Sequence, residues 1–275
     1  MTEEHATFGF STGRAPLLVS MPHVGTELPD GFAARLTARA QALPDTDWHV
    51  DRLYDFAAGL GASVLRARYS RYVIDLNRPP DDAPLYPGAA GTGLAPTTLF
   101  DGSPLYAEGR APDRTEIAER VRTCWQPYHD RLARELERLR AQFGFALLFD
   151  AHSIRSVVPR LFEGRLSDVN LGTGGGTSAD EALARGLVAK CEAQKTFDFV
   201  LNGRFKGGYI TRHYGKPDAG IHAVQLELSQ RTYMNEDPPF DFDEAKANAI
   251  RPLLRAIVSH LLDWAETRYG WKARA

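Results

Sequence analysis

The chain has 275 residues, 43% of them hydrophobic and 25% charged, with a formal net charge of −2. That composition supports a globular core and supplies no global field for nucleic acid or an anionic membrane surface. Two cysteines, Cys124 and Cys191, are too few for a disulfide framework and lack metal-finger spacing.

The acidic N-terminus, MTEEHATFGF, lacks the charged-then-apolar layout of a signal peptide, and no apolar run reaches the length of a membrane span. A soluble, cytoplasmic protein with one domain over residues 1–275 is expected. The segment APLLVSM, ending at Met21, is continuous rather than alternating and reads as a first buried strand. In DTDWHVDRLYDFAAGLGA, Val50, Leu53, Tyr54 and Ala57 fall at helical spacing, with Asp45, Thr46 or Asp47 as caps and Gly59 or Gly61 as stops. Two β-rich runs follow, 62–67 and 71–76, halted by Pro79 and Pro80. Residues 84–111 are rich in Pro, Gly, Thr and Asp and predict a long loop insertion of functional character. From Asp113 to about Phe143 a stripe of Ile117, Val121, Cys124, Tyr128, Leu132, Leu136 and Leu139 predicts the strongest helix, kinked at Pro127. FALLFDAHS reads as another buried strand. A Gly-rich turn at 172–176 then leads to a helix over 179–190. FDFVLNGRFKGGYITRHYG and IHAVQLELSQ add two or three strands, and a helix from Glu244 to about Tyr269 closes the chain. Alternating strands and helices predict an α/β fold with a mostly parallel or mixed central sheet flanked by helices.

Ligands of open α/β sheets sit beyond the carboxyl ends of the strands. His23 follows the first strand, Asp150 and His152 end FALLFDAHS, and Glu227 lies near the end of HAVQLEL. Asp51, on the first turn of the helix after TDW, is a fourth polar group near that edge. Two histidines from different strands with a carboxylate form the donor set of a catalytic zinc site, and Asp150 stands where it would hold the second ring nitrogen of His152. Arg71, Val73 and Asp75 share one face of the predicted strand, either as an internal Arg–Asp pair or as a clamp for a carboxylate. Asn77 and Arg78 follow directly, and Arg212 and His213 lie between glycines in GGYITRHYG. GTGGGTS lacks the lysine of a phosphate loop, and Ser153 lies in no nucleophile elbow. His49 is a possible supporting group, while His5, His129, His222 and His260 receive no role.

Six segments in order, SMPHVGTELPD, DTDWHVDRLYDF, ARYSRYVIDLNRPP, CWQPYHDRL, FDAHSI and GGYITRHYG, resemble the N-formylglutamate amidohydrolase (N-formylglutamate deformylase) family. The resemblance implies a divalent-metal-dependent enzyme of histidine degradation, with zinc first in order, that hydrolyses N-formyl-L-glutamate to formate and glutamate. It also implies a fold similar to zinc-dependent exopeptidases of the carboxypeptidase type. On that reading His23, Asp51 and His152 hold the metal, with Glu27 the competitor of Asp51. Glu227 is the base, Asp150 orients His152, and Arg71, Asn77, Arg78 and Arg212 meet the dianionic substrate. Rival readings are a related zinc-dependent N-acyl-amino-acid hydrolase or exopeptidase, and a non-catalytic carboxylate-binding protein. Either a monomer or a homodimer is compatible with the sequence.

Overall fold

The computed structural model describes residues 2–84 and 91–272. Its first strands, β1 (Thr2–Glu4) and β2 (Phe8–Ser11), pair antiparallel, and β2 continues onto a parallel core. That core opens with β3 (Leu17–Met21), all five residues of which are buried, as a continuous apolar run requires when both sheet faces are covered. Two short helices, α1 (Ala38–Gln41) and α2 (Val50–Leu53), precede β4 (Ser63–Ala67). The expected helix after TDW is thus only one turn of α-helix. A 3-10 segment over Asp55–Leu60 continues it and stops at Gly61 with φ of +81°.

Residues 71–78 form turns rather than the expected second strand. Asp75 explains this: its backbone N–H donates to Leu94 O (2.7 Å), its carbonyl accepts from Arg78 N (3.2 Å), and its side chain accepts from Asn77 N (2.9 Å). A side chain that bonds its own backbone two residues on favours a turn over a ladder. The described part of the expected loop insertion, 91–111, packs Leu94, Leu99, Leu105 and Tyr106 into the core. Residues 85–90 of that insertion lie outside the described residues.

The long helix is α3 (Arg114–Arg120), a π-turn over Val121–Trp125, then α4 (Gln126–Phe143). Pro127 has no N–H to continue an i→i−4 ladder, so the wide turn falls just before it. Then come β5 (Ala146–Ile154), β6 (Val169–Gly172), α5 (Glu181–Glu192) and β7 (Phe199–Leu201). GGYITRHYG, expected as strand or loop, is the short helix α6 (Tyr209–Tyr214), which buries Ile210 and Thr211. The chain closes with β8 (Ile221–Ser229) and α7 (Glu244–Tyr269).

Among the described residues eight strands make one sheet in the order β1-β2-β4-β3-β5-β8-β6-β7. β4, β3, β5 and β8 are mutually parallel, and β6 is antiparallel to β8, so the sheet is mixed. Leu17, Val19, Phe149, Val224 and Leu226 face one apolar cluster with Leu187, Leu254 and Leu261 of α5 and α7. Leu18, Leu148 and Ala223 face the other, against Tyr128, Leu132, Leu136 and Leu139 of α4. No helix among the described residues is long and apolar enough to cross a membrane. Because β4 and β5 flank β3 on opposite sides, the chain reverses direction across the sheet there. The carboxyl ends of β3 and β5 therefore bound the crevice where such folds bind ligands.

Candidate active site

On the α4 face, β5 runs Ala146, Leu148, Asp150, His152, and β8 runs Ala223, Gln225, Glu227. Parallel register sets Asp150 beside Gln225 and His152 beside Glu227. Each strand face thus changes from apolar to polar at the same height, just where β3 releases the chain into Pro22 and His23. Gly25 lets this exit lie against the neighbouring segment, since a Cβ there would stand 2.2 Å from Tyr69 O.

The expected donors converge, with one substitution. His23, Asp47 and His152 are all buried, and each offers one ligand atom within 4.8 Å of the others'. Asp47 Oδ2 lies 3.7 Å from His23 Nδ1 and 3.1 Å from His152 Nδ1. Asp51, expected as the third donor, is exposed on α2, and its carboxylate accepts from Arg52 N (2.9 Å). The helix explains the correction. Val50 and Leu53 take its buried face, which turns the intervening Asp51 outward. His49, in a left-handed conformation (φ +61°), is the N-cap, so Asp47 precedes the helix and is not its cap. Its backbone N–H instead donates to His23 O (3.1 Å), and its Oδ2 accepts from Ser153 N (3.2 Å), fixing it between β3 and β5. His49 bonds Phe240 O (2.8 Å) instead. Glu27, the competitor, is exposed and paired with Arg68 (3.0 Å).

The other nitrogen of each ring meets a carboxylate: His23 Nε2 lies 2.7 Å from Asp75 Oδ1, and His152 Nε2 lies 2.9 Å from Asp150 Oδ2. Asp47 Oδ1 and Asp150 Oδ1 are buried without hydrogen-bond partners. Two imidazoles with both Nδ1 atoms on one carboxylate oxygen, both Nε2 atoms on carboxylates, and an orphaned ligand oxygen form a donor set that fits a divalent cation. Burial and the Arg71 charge lower the pKa of His23. His152 is raised well above the usual value: burial opposes the charge, but Asp150 and Asp47 outweigh it. Burial, opposed by His152 and reinforced by Asp47, pushes Glu227 up to about 8.

Arg71 is buried, with Nη2 on Asp75 Oδ2 (2.6 Å) and Nη1 3.7 Å from Asp47 Oδ1. It pairs internally, as one of its two sequence readings has it, and it also lines the cavity. That cavity, about 340 Å³, is walled by His23, His152, Glu227, Asn77, Arg71 and Arg78, among others. Asn77 Nδ2 contacts His152 Nε2 (2.9 Å) and Asp150 Oδ2 (3.3 Å), while Oδ1 accepts from Ile210 N (2.8 Å). Gly208 makes this contact possible, since a Cβ there would stand 2.4 Å from Asn77 Nδ2. Arg212, expected at the site, is on the exposed side of α6 with Nε donating to Gly207 O (2.7 Å), because Ile210 and Thr211 take the buried side. Arg204 lines the cavity in its place, with Nε on Leu161 O (2.6 Å). Sequence reasoning passed over Arg204 in LNGRFKGG, although it lies between Gly203 and Gly207 just after a strand. Phe100, Ile154, Leu161 and Phe205 supply an apolar wall.

A parallel core whose reversal point carries a convergent His-Asp-His set beside a buried glutamate defines an α/β enzyme with its working groups at the strand ends. The chain belongs to the N-formylglutamate amidohydrolase family, whose model matches residues 15–234. It is 58% identical over 261 residues to the N-formylglutamate deformylase of Pseudomonas aeruginosa, covering 95% of this chain and 98% of that protein. The corresponding protein of Pseudomonas putida is 56% identical over 260 residues, covering 94% and 97%. The crystal structure of N-formylglutamate amidohydrolase from Ralstonia eutropha JMP134 is similar at a TM-score of 0.80 and 27% identity, with 97% of this chain and 100% of that one covered. This chain is thus an amidohydrolase.

Proposed function

We propose that the protein hydrolyses N-formyl-L-glutamate to formate and L-glutamate, as a cytoplasmic step of histidine degradation, with a divalent metal at His23, Asp47 and His152. The observation that carries this reading is the convergence of those three donors beside Glu227 in a chain with close deformylase relatives. Zinc suits two imidazoles and a carboxylate, and when bound it would polarise the formyl oxygen and acidify the attacking water.

The chain's own groups supply the rest. Glu227 takes a proton from the water as the water oxygen attacks the formyl carbon, and delivers it to the glutamate nitrogen as the C–N bond breaks. Burial raises its pKa, which makes its carboxylate a stronger base for the first of those transfers. Asp75 and Asp150 fix the tautomers of His23 and His152 through their Nε2 atoms. Arg71, held by Asp75 and Asp47, is placed to stabilise the oxyanion, while Arg78 and Arg204 receive the two carboxylates. Asn77 positions these groups, since its amide donates to Asp150 and accepts from Ile210 N beside the His152 ring.

The test is metal content of the purified protein together with formate release from N-formyl-L-glutamate, compared with release of acetate and succinate from the N-acetyl and N-succinyl analogues. Bound divalent metal, formate release abolished by a chelator, and strong preference for the formyl compound are expected. Full activity in metal-free protein would overturn the metal assignment, and preference for a larger acyl group would overturn the substrate.

A further inference from the structure

Asp75, Asn77 and Arg78 all line the cavity, yet they lie in a turn that no sheet or helix ladder supports. Every buried backbone carbonyl needs a donor from somewhere. Three consecutive carbonyls of this turn each find a separate one outside it. Leu76 O accepts from His129 Nε2 (2.8 Å), Asn77 O from Tyr209 N (3.3 Å), and Arg78 O from Trp125 Nε1 (2.9 Å).

Two of those donors come from the helix behind the turn. Trp125 ends the π-turn and His129 lies in the first turns of α4, and their rings stack with centroids 3.7 Å apart and planes 20° apart. Tyr209 of α6 packs on both rings, and Tyr214 OH lies 3.0 Å from His129 Nδ1, leaving His129 Nε2 as the nitrogen that donates to Leu76. Both rings are buried. A plain apolar core would be served as well by phenylalanine at either position, whereas here each ring aims its N–H at a different carbonyl of the same turn.

We propose that Trp125 and His129 are positioning residues, a paired indole–imidazole clamp that sets the height of the Asp75–Arg78 turn over the cavity and so places the Arg78 guanidinium. The consequence for substrate rests on the reading that Arg78 receives a carboxylate of N-formylglutamate. Neither ring lines the cavity, so both act through the backbone they hold.

The experiment uses the metal-loaded enzyme with N-formyl-L-glutamate and the variants Trp125→Phe, His129→Phe, His129→Gln and Arg78→Ala. Each Phe variant should raise KM roughly tenfold, the order that one lost buried hydrogen bond carries, with kcat changed less and metal content unaltered. His129→Gln, whose amide N–H reaches about as far as Nε2, should recover most of the loss. Trp125→Phe should add little in an Arg78→Ala background, because both act on the same contact. Hydrogen exchange of the peptide spanning 75–80 should quicken in the Phe variants of metal-free protein, whatever the substrate. A role in general packing would instead lower the melting temperature and kcat together, leave KM and that peptide unchanged, and gain nothing from glutamine. Unchanged KM and exchange in both Phe variants overturn the clamp. Unchanged KM in Arg78→Ala alone overturns only the carboxylate assignment. If His129→Phe does not fold, Trp125→Phe and the exchange measurement decide alone.

Discussion

Asp75 offers the sharpest test of how the site is held together. It is 1% exposed, and its two carboxylate oxygens serve His23 Nε2 (2.7 Å), Asn77 N (2.9 Å) and Arg71 Nη2 (2.6 Å). Burial opposes its charge, but Arg71 and His23 hold its pKa well below the usual carboxylate range. Asp75→Asn keeps the shape, removes the charge, and presents an NH₂ either to Arg71 Nη2 or to both His23 Nε2 and Asn77 N. Severing one partner of a buried ion pair costs about 3–5 kcal/mol. The lower end applies here, because Arg71 keeps Asp47 Oδ1 at 3.7 Å and the Phe100 ring at 4.8 Å. A loss of about 3 kcal/mol, at roughly 2–4 °C per kcal/mol for chains near this size, is a fall of about 6–12 °C in Tm. Scanning calorimetry of chelator-stripped protein measures it free of any metal contribution. The same substitution removes the acceptor that orients His23, and such losses weaken metal affinity by about 10–100-fold. Titration against a chromophoric chelator reads that effect. A Tm within about 2 °C of the parent together with unchanged metal affinity would refute the reasoning, because the Arg71–Asp75 pair would then be behaving as a surface pair does.

Asp47→Asn should abolish metal retention through dialysis while Asp51→Asn retains it, as read by elemental analysis; the reverse pattern would restore the assignment made from sequence. Glu227→Gln should keep metal and KM but lower kcat by roughly a hundredfold or more, and a change confined to KM would move the base elsewhere. Glu135, fully buried on α4, accepts from Ser63 Oγ (2.6 Å), Arg131 Nη2 (2.8 Å) and Arg138 Nη2 (2.6 Å), far from the cavity lining. Glu135→Ala should destabilise the chain by roughly 3 kcal/mol in urea melts while leaving kcat and KM of the folded enzyme unchanged.

Periodicity made the long elements legible. Continuous apolar runs located β3 and β5, the 3.6-residue stripe located the helical stretch that α3 and α4 share, and α7 runs from Glu244 to Tyr269 as expected. Short elements escaped. β1 and β2 have three and four residues, too few for a period to register, and β6 shares only Gly172 with the expected glycine-rich turn, its other three residues carrying no expectation. Arg71–Leu76 misled for a different reason: Tyr72, Val73 and Ile74 have strand propensity, and all three are buried, but in a turn that the Asp75 side chain closes. Propensity there describes packing against neighbours rather than backbone conformation.

The site divides along the same line. His23 follows β3 directly, and Asp150, His152 and Glu227 are carried within β5 and β8, so regular strands that a sequence pattern can locate hold these four groups. Asp47, Arg78 and Arg204 stand in irregular segments whose direction depends on partners from elsewhere: His23 O and Ser153 N for Asp47, the Trp125 indole for Arg78, and Leu161 O for Arg204. DTDWHVDRLY offers three aspartates, Asp45, Asp47 and Asp51, and choosing between the last two requires knowing where the helix begins. The left-handed backbone at His49 decides that, and nothing in the residue pattern announces it. The strand-borne groups would therefore keep their places if the loops were redesigned, whereas Asp47 depends on its bonds to His23 O, just past β3, and to Ser153 N of β5. Metal affinity should accordingly be lost by changes in the 43–49 loop well before the fold itself is.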